Sequence, residues 1–139
     1  MTQIAIERVT PPQASRILAS EPAAILIDVR SKLEFDYIGH PTGALNVMWK
    51  DYPDWQENPH FVEEVRAALA ARGGDHPERP ILALCRSGAR SLAAAKKLAE
   101  AGYLRLYNIE EGFEGDKDPS GHRSQVNGWR FHGLSWEQT

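Results

Sequence analysis

Short, wholly apolar runs are the feature that most restricts this chain. Ala23 to Ile27 and Ile81 to Cys85 are five residues each and show no polar alternation. A strand with one wet face alternates apolar and polar side chains, whereas a strand covered on both faces, as in a parallel sheet, reads as a continuous apolar run. Between such runs lie stretches with helical spacing. Phe61, Val62, Val65, Ala68 and Leu69 stand at i, i+1, i+4, i+7 and i+8, an amphipathic stripe that Gly73-Gly74 ends. Strands alternating with helices predict an α/β fold: a single domain over 1–139, with a central, mainly parallel sheet of about five strands and helices on both faces. A length of 139 residues holds one core, and no apolar run approaches the roughly 20 residues that cross a bilayer, so no membrane partner is expected.

Local signals place the other elements. Ile4 to Val9 is predicted as an edge strand. Thr10-Pro11-Pro12-Gln13 offers a capping box opening a helix over 11–20 that buries Ala14, Ile17 and Leu18. Ala24 to Asp28, Leu45 to Met48, Ile81 to Leu84 and Leu104 to Ile109 are the remaining strands. A second capping box, Ser31-Lys32-Leu33-Glu34, opens a short helix ending before Gly39, and Ser91 to Ala101 is a helix stopped by Gly102. Trp49 to Pro59 reads as irregular. The core covers about 4–112. The polar, Gly-rich remainder, 113–139, ends with Trp129, Phe131, Leu134 and Trp136, apolar residues that predict an extension docked on the domain.

Charge and cysteine content exclude several functions. The net charge of −3 comes without the clustered Lys and Arg of a phosphate-backbone binder, so nucleic acid is not an expected partner. One cysteine excludes an intramolecular disulfide and a multi-cysteine metal site. Met1 to Thr10 lacks the basic-then-apolar pattern of a signal peptide, and a cytoplasmic protein is expected. Asp116-Lys117-Asp118-Pro119-Ser120-Gly121 imitates the first half of a calcium loop, but its twelfth position is Asn127 instead of a bidentate Glu. The five histidines show no paired spacing of a metal-binding helix, and no metal is predicted.

The chemistry concentrates at Ile81-Leu82-Ala83-Leu84-Cys85-Arg86-Ser87-Gly88-Ala89-Arg90-Ser91: an apolar strand, a loop of small residues, a helix start. Ligands of open parallel sheets bind at the carboxyl ends of strands, where the next helix presents unpaired N–H groups and a positive dipole end. A thiol there is placed to act as thiolate, the nucleophilic form. Gly88 lets the backbone turn its amides inward, as an anion-binding nest requires. Arg86 and Arg90 add planar cations that match oxyanions such as thiosulfate, sulfite, phosphate or arsenate. Cys85 is therefore the candidate nucleophile, and Arg86, Ser87, Gly88, Ala89 and Arg90 form its candidate anion-binding loop.

These residues resemble a known family, the rhodanese-like sulfurtransferases. Cys85-Arg86-Ser87-Gly88-Ala89-Arg90 matches the pattern C-R-x-G-x-[RT] of its thiosulfate-using members. Asp28-Val29-Arg30 resembles the family's strand-ending D-V-R, Glu34-Phe35 its E-[FY], and Gly39 to Asn46 its G-H-I-x-G-A-x-N segment, all in the family's order. Three departures stand out. Asp36, Tyr37 and Ile38 make three residues where the family has two, Pro41 stands where Ile or Val is common, and Glu111-Gly112 replaces a Gly pair.

The resemblance implies a rhodanese-like fold and a two-step transfer. Cys85 takes a sulfur from thiosulfate or a similar donor, becomes a persulfide, and passes the sulfur to cyanide, a thiol or a protein thiol. It implies no metal or organic cofactor. Asp28 and Arg30, ending a neighbouring strand, are expected beside the loop as groups that position it, and Glu34 as the partner of Ser31. Trp49, Trp55, Trp129 and Trp136 are candidates for the pocket rim or a partner surface, with simple packing the plainer expectation. Two alternatives stand beside sulfur transfer: a cysteine-dependent phosphatase or arsenate reductase, which shares the logic of the loop, and a non-enzymatic persulfide carrier or regulatory binding module that keeps the fold. By resemblance, four residues between Cys85 and Arg90 belong to sulfurtransferases, whereas the phosphatase-type loop has five.

Overall fold

The computed structural model describes residues 5–139, and Ile4, the predicted start of the first strand, lies outside them. The elements in chain order are β1 (Ile6–Val9), α1 (Pro11–Ser20), β2 (Ile25–Asp28), a π-helical turn (Glu34–Ile38), β3 (His40–Pro41) and β4 (Leu45–Asn46). Beyond these come α2 (Phe61–Ala71), β5 (Ile81–Leu84), α3 (Ala89–Glu100), β6 (Leu106–Ile109) and β7 (Trp136–Glu137). Five strands form one parallel sheet in the order β1-β6-β5-β2-β4, the single-domain α/β architecture that the apolar runs predict. β2, β5 and β6 are buried along their whole length, which is why β5 and β2 up to Ile27 read as unbroken apolar runs, while Asp28 and Asn108 are polar residues buried within β2 and β6.

Helices cover both faces. On one, Phe61, Val65 and Leu69 of α2 and Ala94 and Leu98 of α3 pack on Ile25, Ile27 and Ile81. On the other, Ala14 of α1 joins Leu26, Leu82, Leu84, Phe113 and Trp129. Thr10 caps α1 with the predicted box, its hydroxyl accepting from the Gln13 amide while the Gln13 side chain accepts from the Thr10 amide. Among the described residues no helix is long and apolar enough to cross a membrane.

Two departures from the expected pattern have structural explanations. The three residues Asp36, Tyr37 and Ile38 sit in a π-helical turn, closed by Gly39 N donating to Glu34 O at 3.3 Å over a span of five. A π turn absorbs one extra residue without displacing the segment after it. Pro41 lies on β3, which among the described residues pairs only with β7 in a separate two-stranded antiparallel ribbon, an edge position where a missing N–H is tolerated. The predicted strand Leu45 to Met48 shortens to Leu45–Asn46, and the helix predicted from Ser91 begins two residues earlier, at Ala89.

Candidate active site

Chain direction across the sheet reverses between β2 and β5: β2 leads outward to β4, and β5 leads the opposite way to β6. Such a switch point opens a crevice at the strands' carboxyl ends. Cys85 stands there, one residue past β5, with Asp28 in register beside Leu84.

The thiol is 2% exposed, at the floor of a small cavity of about 150 Å³ lined by Trp55, Cys85, Arg86, Ser87, Ala89 and Arg90. A larger, open hollow elsewhere, lined by Glu7, Arg8, Gln13 and Arg16, contains no cysteine. Gly88, at φ +114°, caps α3 and donates its amide to Cys85 Sγ at 3.1 Å. Among the described residues, the amides of Arg86, Ser87, Ala89 and Arg90 meet no protein acceptor, so the loop is a nest of N–H groups over the start of a helix.

The loop's carbonyls are held from behind. Phe113 N donates to Cys85 O at 2.8 Å, and the amides of Glu114 and Gly115 donate to Arg86 O at 3.0 and 3.2 Å. Gly112 permits this approach, since a Cβ there would lie 2.5 Å from the Arg86 carbonyl. Glu111 occupies the place of the missing glycine at φ +71°. Its carboxylate accepts from Gly128 N and meets His132 Nε2, both at 2.9 Å, so the departure from glycine fastens the extension to this loop.

The two loop arginines differ. Arg86 has no carboxylate partner among the described residues, and its buried Nε meets no acceptor. Arg90, expected as a second anion clamp, is already engaged: Glu34 Oε1 and Oε2 accept from its two Nη atoms at 2.8 and 2.9 Å, and its guanidinium lies 5.2 Å from the Trp55 ring centroid. Burial alone would raise the Glu34 carboxyl, but the Arg90 hydrogen bonds and charge outweigh it and hold the group below its ordinary value. Glu34 also closes the predicted capping box with Ser31.

Asp28 and Arg30 are not among the residues lining the cavity. They form a fully buried pair, Arg30 Nε to Asp28 Oδ1 at 2.9 Å and Nη2 to Oδ2 at 2.6 Å, and Nη2 also donates to Gly39 O. Burial pushes the Asp28 carboxyl up, against the opposing pull of Arg30. The Arg30 guanidinium lies 4.6 Å from the centre of the Phe113 ring, whose amide holds Cys85 O.

Of the four tryptophans, Trp55 alone lines the cavity. Trp49 is buried edge-on against Phe61, Trp129 is buried with Nε1 donating to Ser135 O, and Trp136 packs on Phe113 from β7. Nothing in the sequence singles out Ser91 and Asn108. Ser91 Oγ lies 3.3 Å from Cys85 Sγ and also bonds Asn108, whose amide donates to Gly88 O. Asp116 and Asp118, the calcium-loop look-alike, accept hydrogen bonds from Asn127, Ser120 and His122 within their own loop.

A buried thiol in an amide nest at the switch point of a parallel sheet defines the class of site, and comparison gives it a family. The family model for the rhodanese-like domain matches residues 10–118, so the chain belongs to the rhodanese-like family. It is similar to Rv0390 from M. tuberculosis, known from a crystal structure, with 37% identity, a TM-score of 0.83 and coverage of 99% of this chain and 100% of that one. The RP600 homolog of Rickettsia rickettsii is 31% identical over 96% of this chain and 99% of its own length. The thiosulfate sulfurtransferase GlpE of Haemophilus influenzae is 27% identical over 81% of this chain and 89% of its own.

Proposed function

We propose that this protein is a sulfurtransferase that moves a sulfane sulfur from thiosulfate or a similar donor to a thiol or cyanide, through a persulfide on Cys85. The observation that carries the reading is the thiol at the cavity floor, 3.1 Å from the Gly88 amide at the start of α3, beneath unpartnered loop amides. Cys85 thiolate attacks the donor's outer sulfur. A new S–S bond forms, the donor's S–S bond breaks, and sulfite leaves with the electron pair. The terminal persulfide sulfur then bears the charge, and the amide nest is arranged to stabilise it without reorganising. Arg86 attracts the anionic donor, and an acceptor thiolate or cyanide finally removes the sulfur.

The family match and the resemblance to a thiosulfate sulfurtransferase support sulfur over phosphorus chemistry. The test is an intact-mass measurement after incubation with thiosulfate. One added sulfur atom, absent in Cys85→Ser and removed by cyanide with thiocyanate release, is the expected result. A wild-type protein left unmodified by thiosulfate and by other sulfane donors overturns the reading.

A further inference from the structure

We infer that Trp55 makes this site selective for a monoanionic organic sulfane donor, one carrying an apolar or aromatic group beside its S–S bond, over inorganic thiosulfate. The inference rests on the sulfur-transfer reading and concerns the donor class. Two independent observations lead to it.

The first is the wall. Residues 50–57 form an arm whose ends are pinned: Trp49 N donates to Val29 O at 2.9 Å, Asn58 N to Trp49 O at 2.8 Å, and Lys50 bridges Glu57. The arm projects Trp55 to the cavity mouth, 41% exposed, with Tyr52 edge-on to it and 74% exposed. Trp55 has φ +55°, a conformation costly to any residue with a Cβ. Asp51 O, accepting its amide at 2.8 Å, and the Arg90 guanidinium hold it there. A strained backbone that keeps a large apolar ring partly in water above the nucleophile points to a contact made by something else.

The second is charge. Thiosulfate is a dianion, but of the two loop cations Arg90 is already matched by Glu34 through two hydrogen bonds. Arg86 remains as the guanidinium without a carboxylate among the described residues. One uncommitted cation beside an indole suits one negative charge beside an apolar group. A thiosulfonate, R–SO₂–S⁻, has that form. Cys85 thiolate attacks its outer sulfur, the S–S bond breaks, and the sulfinate R–SO₂⁻ leaves with the electron pair, so charge balances and no oxidant or proton is needed.

The experiment measures kcat/KM for benzenethiosulfonate, methanethiosulfonate and thiosulfate, each divided by that donor's rate with a free thiol to remove leaving-group differences. The wild type is expected to favour the benzene donor over the methane donor by about 5–10-fold, the magnitude of one aromatic contact. Trp55→Gly, which also relieves the positive φ, is expected to erase that preference, lowering kcat/KM more for the benzene donor than for the methane donor or thiosulfate, while Trp55→Phe retains it. Persulfide formation with no ring preference, or equal losses on all three donors in Trp55→Gly, overturns this inference alone. Absence of persulfide with every donor overturns the sulfur-transfer reading and this inference with it.

Discussion

Glu34 reaches across 56 residues of sequence to hold both Nη atoms of Arg90, and each side chain is mostly removed from water. The pair ties the π-helical turn to the Cys85 loop. Replacing Glu34 by Gln leaves a neutral acceptor, so a destabilisation of about 1–2 kcal/mol is expected. Because the folded carboxyl lies below its ordinary value of 4.5, the stabilisation is present above that pH and is lost as pH falls through the depressed folded value. Urea unfolding of wild type and Glu34→Gln from pH 7 down to pH 3 should therefore show a gap that narrows with acid. A gap that widens on acidification contradicts the pairing.

Cys85→Ser is expected to abolish transfer with the melting temperature little changed, since the hydroxyl still fits the site but has no base to activate it. Thiocyanate formation from thiosulfate and cyanide, measured alongside thermal unfolding, checks both halves. Substantial turnover in the variant removes Cys85 as the nucleophile.

How much of this is legible in the sequence depends on the range of each interaction. The buried strands, the Thr10 cap and the Cys85 loop are written in neighbouring residues; the structure shows the strands and the cap and sets the loop between β5 and α3. The two loop arginines look equivalent in sequence because their partners are distant: nothing near Arg90 announces Glu34. Gly112 shows no reason for being glycine until folding brings its Cα against the Arg86 carbonyl. Trp49 and Trp55 are alike in composition, and only the pinned arm sends one into the core and the other to the cavity mouth.

Gly112→Ala tests the brace behind the loop. The added Cβ meets backbone at 2.5 Å and must sit at φ +69°, so a loss of about 2–4 kcal/mol is expected, with transfer falling at least about tenfold as the nest distorts. Gly121→Ala supplies the comparison: φ is +83° but nothing lies within 4 Å, so strain of about 1–2 kcal/mol should appear without loss of transfer efficiency. Similar kinetics in the two variants would show that the 112–115 segment does not shape the site.

Arg86→Ala should remove a charged contact to the donor worth about 1.5–3 kcal/mol, roughly 10–150-fold in kcat/KM for thiosulfate and less for an uncharged donor. Arg90→Ala should act differently, because it leaves the Glu34 carboxylate unpaired near the mouth and Trp55 unsupported. Its loss is expected to be partly recovered by adding Glu34→Gln, which removes the repelling charge. Steady-state kinetics on the two single variants and the double variant decide the point; no recovery means that Arg90 touches the donor directly.

The last prediction separates sulfur from phosphorus and arsenic chemistry, and it rests on the size of the ring of amides. Four residues stand between Cys85 and Arg90, one fewer than in the phosphatase-type loop. A phosphoryl or arsenyl centre must fit inside that ring with its oxygens on the amides, whereas a persulfide needs room for one additional sulfur atom. The cavity above Cys85 is only about 150 Å³, and Arg90, which corresponds to the closing arginine of such a loop, is turned to Glu34 and Trp55. Leu84 precedes Cys85, so the loop also lacks the histidine that phosphatases commonly place there. No significant hydrolysis of aryl phosphates and no arsenate reduction are expected, alongside measurable transfer from sulfane donors. Inserting one residue between Ala89 and Arg90 should weaken sulfur transfer by misplacing the amides. Efficient, Cys85-dependent phosphatase turnover by the unaltered protein would overturn the argument from loop size.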